Sequence, residues 1–306
     1  MNVFSNIFFF QLLNYIEDFK YNQIFLNNNK ISINKIKTIH DYLENAKNGD
    51  AISQYLLGFC YYYGKGSEID KNKAHYWFMQ SATQGIAEAN YMLGKMYYLG
   101  DAVTKDIWES IKHYKIAARK GLSEAQCQLG YLYYYDKEIK NFDESFQWLS
   151  KASSNGNANA KYALGYIYFY NHKIEEAMSY FQESLSLPSS SCALATCYEI
   201  KKDYEKASIY YREAILGNDG LAMVKLGHLY EERLGIVRSS KNAVALYKQA
   251  ALNSLPAAQM YLSFLYAYGK LVKKDKKEAQ KWWTFVMNSD DELVNSILNK
   301  LNKFGI

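Results

Sequence analysis

The chain has 306 residues and a net charge of +5, from 36 basic and 31 acidic residues; 49% of it is hydrophobic, 22% is charged, and it holds 30 Tyr but only 2 Pro. This balance excludes disordered and collagen-like classes, and so mild a charge is not the clustered basic face of a nucleic-acid binder. Few prolines impose few breaks, which favours long helical runs.

The N-terminus carries an apolar run, Ile7-Phe8-Phe9-Phe10-Gln11-Leu12-Leu13. An export signal needs a basic start and a small-residue cleavage site, yet the first basic residue is Lys20, after Glu17 and Asp18. The run therefore reads as a packed helix, and the expected location is cytoplasmic, with export by a signal-less route left open. No apolar run approaches the ~18 residues that span a membrane. Asn27-Asn28-Asn29 reads as a turn, and Ile33–Lys47 as a second helix ending in Ala46-Lys47-Asn48-Gly49. Residues 1–48 are thus expected to be N-terminal capping helices.

From residue 49 the chain repeats. One core occurs seven times: Leu57-Gly58-x-x-Tyr61, Leu93-Gly94-x-x-Tyr97, Leu129-Gly130-x-x-Tyr133, Leu164-Gly165-x-x-Tyr168, Leu194-Ala195-x-x-Tyr198, Leu226-Gly227-x-x-Tyr230 and Leu262-Ser263-x-x-Tyr266. The small positions are spaced by 36, 36, 35, 30, 32 and 36 residues. A second small anchor follows each core: Ala74, Ser110, Ser145, Ala177, Ala207, Ala243 and Ala279. Three and four residues later comes a bulky pair, such as Trp77-Phe78, His113-Tyr114, Tyr210-Tyr211 or Trp282-Trp283. The pattern is that of two helices packed face to face. Leu at −1 and Tyr at +3 share a stripe with the small residue, which lets the partner helix come close while its bulky pair fills the remaining space. One such hairpin cannot bury its apolar face alone, so stacking on neighbours supplies the core. Between the helices, Gly64, Gly66, Gly100, Gly235 and Gly269 supply turn positions, and Asp70, Asp106 and Asp275 stand where the second helix needs an N-cap.

The full pattern, LGxxYxxGxG(V)xxDxxKAxxW…AxxG, resembles the Sel-1-like repeat, a relative of the tetratricopeptide repeat. The first unit carries Ala51, Leu57, Gly58, Tyr61, Gly64, Gly66, Asp70, Lys73, Ala74, Trp77, Ala82 and Gly85. The resemblance covers about residues 49–290. In two units the small residue and the second anchor are only 12 apart, Gly165 to Ala177 and Ala195 to Ala207, against 15 or 16 elsewhere. These two look more like plain tetratricopeptide repeats. The expected organisation is three Sel-1-like repeats over 49–156, two shorter repeats over 157–217, two Sel-1-like repeats over 218–290, and a C-terminal capping helix over 291–306. That last helix carries the stripe Leu293, Val294, Ile297, Leu298 and Leu301, with Asp290 or Asp291 near its start. The fold class is all-α, an α-solenoid of about seven stacked helix-turn-helix repeats capped at both ends.

Motifs of catalysis are sparse. The five His (40, 75, 113, 172 and 228) include no pair three or four apart, so no helical metal pair arises. The four Cys (60, 127, 192 and 197) include no CxxC, and 192 and 197 would point apart on a helix. There is no P-loop, GxGxxG or GxSxG. Some cysteine-rich Sel-1-like proteins carry a β-lactamase label, but SxxK occurs once, Ser32-Ile33-Asn34-Lys35, without SDN or KTG. No enzyme activity, cofactor or metal is expected. The densest basic run, Lys270–Lys277, has five lysines around Asp275 and reads as a solvated loop.

The resemblance implies that first helices line a concave surface where another protein or peptide binds. Helical geometry turns positions +1, +4 and +5 from each small residue toward that surface. They are Phe59, Tyr62, Tyr63, Lys95, Tyr98, Leu99, Tyr131, Tyr134, Tyr135, Tyr166, Phe169 and Tyr170, then His228, Glu231, Glu232 and Tyr268. Tyrosine buries area at low entropic cost, so an aromatic binding groove is expected; packing between adjacent first helices is the alternative for any one residue. The resemblance implies a non-catalytic scaffold or adaptor. Alternatives are a secreted or host-directed effector of the same fold, or a β-lactamase-like or cell-wall-ligand-binding repeat protein.

Overall fold

The computed structural model describes residues 39–287. Among them the regular elements are fifteen α-helices. The first, α1 (Ile39–Lys47), falls within the helix expected over 33–47, of which residues 33–38 lie outside the described residues. Seven pairs follow: α2 (Ala51–Tyr63) with α3 (Lys71–Thr83), α4 (Ala87–Leu99) with α5 (Ile107–Arg119), α6 (Ser123–Tyr135) with α7 (Phe142–Ser154), and α8 (Ala158–Tyr170) with α9 (Ile174–Gln182). The last three are α10 (Pro188–Ile200) with α11 (Tyr204–Leu216), α12 (Gly220–Glu232) with α13 (Ser240–Leu252), and α14 (Pro256–Tyr268) with α15 (Lys276–Met287). The expected N-terminal helix, its Asn27–Asn29 turn, Ser32 and the capping helix at 291–306 lie outside the described residues. Two compact units divide the chain inside α8, between Leu164 and Gly165.

The small residue acts as inferred. The −1 leucines are all buried, at 0–2% exposure. A Cβ at Gly94 would lie 2.8 Å from the Tyr114 ring, and one at Gly227 would lie 2.6 Å from the Tyr247 ring. The second member of the bulky pair therefore sits where a larger residue would have its side chain. Where the second anchor is serine, its hydroxyl donates to the carbonyl oxygen of the facing glycine: Ser110 to Gly94 and Ser145 to Gly130, both at 2.7 Å. The last pair differs. Ser263 stands in the glycine's place and donates to the Ala279 carbonyl at 2.9 Å, and the first tryptophan of the pair, Trp282, is the buried one.

Every first helix of a pair has 13 residues. Variation in repeat length is taken up elsewhere, chiefly in the loop inside each pair. One bond closes that loop in all seven units. The backbone N–H just ahead of the second helix donates to the carbonyl oxygen of the +3 tyrosine, as from Asp70 to Tyr61 (2.9 Å) and Asp275 to Tyr266 (3.0 Å), nine residues apart. In the third unit Asn141 reaches Tyr133 across eight residues (2.8 Å). In the short units Lys173 reaches Tyr168 (3.0 Å) and Asp203 reaches Tyr198 (2.9 Å) across five. Four of the long loops hold two left-handed residues, at 64 and 66, 100 and 102, 233 and 235, and 269 and 271. Asp70, Asp106 and Asp275 cap the second helices as expected, accepting backbone N–H bonds from Lys73, from Trp108 and Glu109, and from Lys277 and Glu278.

Candidate protein-binding face

The +3 tyrosines are half-buried, Tyr133 more fully, and a charged nitrogen from a second helix lies over most of them. Lys73 sits 5.3 Å from the Tyr61 centroid, Lys115 5.6 Å from Tyr133, Lys206 5.3 Å from Tyr198 and Lys248 5.5 Å from Tyr266. This row belongs to the framework, held by cation–π attraction. Tyr97 is different. His113 stacks on it at 5.6 Å and His75 meets it edge-on at 6.0 Å.

The residues expected on the open face divide into two groups. Four are buried: Phe59 and Tyr62 at 8%, Lys95 at 9% and Glu231 at 3% exposure. Their contacts explain why: Tyr62 and Glu231 are met by the next unit, Lys95 by the preceding one, and Phe59 by its own helix. The Tyr62 hydroxyl donates to Asp101 at 2.6 Å, and Lys71 pairs with the same carboxylate. The Lys95 ammonium donates to the Tyr63 hydroxyl at 3.2 Å and lies 5.8 Å from the centroids of both Tyr62 and Tyr63. Phe59 packs 4.5 Å from the ring of Tyr63. Glu231 accepts from Tyr247 (2.9 Å) on α13 and Tyr261 (2.8 Å) on α14, and pairs with Lys270 at 2.6 Å. Burial opposes its charge, but the bonds from Lys270, Tyr261 and Tyr247 outweigh it and hold this carboxyl below the usual range. Burial pushes the Tyr261 phenol up to about 12, with the Glu231 bond adding to it.

The others are half-buried or open. Tyr63, Tyr98, Tyr131, Tyr134, Tyr166 and Phe169 are half-buried. Tyr131 donates to the Asn159 carbonyl at 3.2 Å and stacks on Tyr135 at 6.2 Å. Burial, with the Asp136 carboxylate nearby, raises the Tyr98 phenol. His228 and Glu232 are exposed, as are Leu99, Tyr135, Tyr170 and Tyr268. Sequence reasoning passed over three exposed neighbours: Ile200 (52%), Phe264 (48%) and Phe142 (58%). Ile200 and Phe264 occupy the same +5 and +1 positions and were legible by the same rule. Phe142 opens α7 with its ring 5.4 Å from Tyr134, outside the first-helix period.

Among the described residues no three His, Cys, Asp or Glu side chains gather as a metal set, and no helix is long and apolar enough to cross a membrane. None of the four cysteines is joined in a disulfide. Burial pushes Cys60 up to about 11 and, with Glu175 adding to it, Cys197 to about 12, which makes poor nucleophiles.

The Sel1 repeat family model matches residues 51–86, 87–122, 123–157, 158–187, 193–219, 220–255 and 256–284. Comparison with curated proteins finds no match. Among solved structures, c5321, a protective antigen present in uropathogenic Escherichia coli strains displaying an SLR fold, superposes with a TM-score of 0.74 at 26% identity, over 88% of this chain and 60% of that one. A Sel1 repeat protein from Oxalobacter formigenes superposes with a TM-score of 0.66 at 24% identity, over 86% of this chain and 79% of that one. The chain thus spans well under two thirds of the first of these. With seven matched units and paired helices throughout the described residues, the chain belongs to the Sel1 repeat family, tetratricopeptide-like helical repeats that commonly serve as protein-interaction scaffolds.

Proposed function

We propose that this protein is a non-catalytic scaffold that holds a peptide segment of a partner protein against the C-terminal ends of its first helices. One observation carries the reading. The residue five after the small position is large, apolar and open to solvent in five units. It is Leu99 (39%) and Tyr135 (44%) in the part up to Leu164, and Tyr170 (59%), Ile200 (52%) and Tyr268 (71%) beyond it. Exposed apolar residues scattered singly need no explanation, but recurrence at one repeat position is not scatter. None of these side chains fills the core of its own hairpin, and the tyrosines among them are suited to anchoring a partner. Tyr62, Lys95 and Glu231 join neighbouring units, and together with the buried Phe59 they are left out of this proposed face.

The test is affinity capture with the wild-type chain and with a Tyr135→Ser, Tyr170→Ser, Tyr268→Ser variant. All three positions are exposed, so the fold should survive, checked by an unchanged melting temperature. Partners lost with the variant support the reading. Partners retained at wild-type level on all three substitutions overturn it.

A further inference from the structure

The loop from α12 to α13 departs from its counterparts. At the first left-handed position three loops carry glycine, Gly64, Gly100 and Gly269, whereas this one carries Arg233 at φ +59. A Cβ is disfavoured there, so the chain keeps a strained residue where its own repeat offers an unstrained one. Such strain is one mark of a ligand-binding position. The chain also carries it at Ala102, His172, Lys202, Asn218, Ser254 and Leu271, and what sets Arg233 apart is the pocket it lines.

Arg233 lines an open pocket of about 420 Å³ together with Glu231, Glu232, Val237, Arg238 and Lys270. That volume lies within the range of ligand pockets. Charge accounting separates its walls. Glu231 is buried and already neutralised by Lys270, with Tyr247 and Tyr261 donating to it. Arg233 and Arg238 join no ion pair among the described residues. Against Glu232 they leave a surplus of one positive charge, beside Val237, which is 84% exposed. The neighbouring loop adds Lys273 and Lys274, and the start of α15 adds Lys276 and Lys277, all exposed, against the single carboxylate of Asp275, which caps α15 and keeps its charge. Their field favours the approach of an anion.

We infer that this pocket binds a carboxylate of an acidic peptide, held by Arg233 and Arg238, with the apolar part of the same residue or its neighbour against Val237. The guanidinium fork matches the planar carboxylate. A surplus of one charge suits a monoanion, whereas a phosphate dianion would leave one negative charge uncompensated beside the carboxylates of Glu231 and Glu232. No aromatic ring lines the pocket, so it offers nothing for a base to stack on. All six residues lie within 231–270, so the inference stands or falls independently of the aromatic face.

The test titrates the full chain into fluorescein-labelled hexaglutamate at low salt, read by fluorescence anisotropy. Saturable binding is expected, weakened about tenfold or more by Arg233→Gly with Arg238→Gln. Lys273→Gln with Lys274→Gln removes equal charge outside the pocket and should weaken binding less than about threefold. Because Arg233→Gly relieves the left-handed strain, the melting temperature of the arginine variant should be unchanged or higher, so its lost binding is not misfolding. At equal ionic strength, acetate should displace the probe at lower concentration than inorganic phosphate. The inference is overturned if the wild type does not bind, if both variant pairs lose affinity equally, or if phosphate displaces first. It is also overturned if an oligothymidylate of equal charge binds more tightly than hexaglutamate through the same two arginines.

Discussion

At Gly227 one methyl group decides whether two helices can touch. Its Cβ would lie 2.6 Å from the ring of Tyr247, and that ring cannot retreat, because its hydroxyl is bonded to Glu231 and its edge packs on Tyr261 at 4.9 Å. Gly227→Ala is expected to cost about 1–3 kcal/mol through crowding, read as a lower urea midpoint with an unchanged slope. Gly66→Ala is the contrast. Nothing lies within 4 Å of its Cβ, and only φ +75 opposes it, so about 1 kcal/mol is expected. Glu231→Ala would leave the phenols of Tyr247 and Tyr261 without their acceptor, at about 1–3 kcal/mol. Glu231→Gln keeps an acceptor oxygen and should cost less; equal melting points for the two variants would contradict this account of the site.

Between elements, the junction of α3, α4 and α5 has a titration of its own. His75 and His113 flank Tyr97, and His113 Nδ1 lies 3.1 Å from Asn90 Oδ1. Burial holds both imidazoles below their ordinary value; for His113, Glu109 pulls back upward while Lys112 and His75 push further down. The two imidazoles therefore stay neutral in the folded chain at a pH where they bind protons in the unfolded chain. This contribution is fully present above about pH 6.5 and is lost as the pH falls below it. The melting temperature should drop between about pH 7.5 and pH 5 more steeply in the wild type than in a His75→Gln, His113→Gln variant. Equal slopes would remove these residues from the acid response. The same junctions explain what the sequence hid. About 100° per residue places +1, +4 and +5 on one side of a helix. It does not tell which of them the next unit covers. Tyr62 meets Asp101 from the following loop and Glu231 meets Tyr261 from the following helix, so both are interior, while Tyr135 and Tyr170 at +5 reach past the contact. The Leu–small–Tyr stripe, the capping aspartates and the glycine–aromatic contacts were legible because each lies within one hairpin.

At the scale of the whole chain, contacts within each of the two compact units run between consecutive helices, and such arrays distribute stability as nearest-neighbour terms. A lesion in one unit should then stay near it. In the Gly227→Ala variant, hydrogen exchange should show lost protection in α12 to α15, while the amides of α2 to α5 keep theirs. Uniform loss along the chain would instead mean a single cooperative block. The number of units could be read directly, because seven recurrences of Leu and Tyr outweigh local irregularities. The departures, such as Trp282 turning inward before Trp283, go with Ser263 standing in the glycine's place on the facing helix, and the sequence shows that serine without showing which tryptophan it turns inward.

The bond from the start of each second helix back to the +3 tyrosine carbonyl has a consequence for how such a chain can change. It clamps the two stems of the loop whether five, eight or nine residues separate them. Everything inside the clamp is then free of the register of the helices. Each hairpin thus has a splice port, where residues can be added, removed or exchanged for a foreign segment without rewinding a single turn of helix. The pocket at Arg233 sits in one such port, which is where a repeat protein can acquire a new chemistry while its scaffold stays the same.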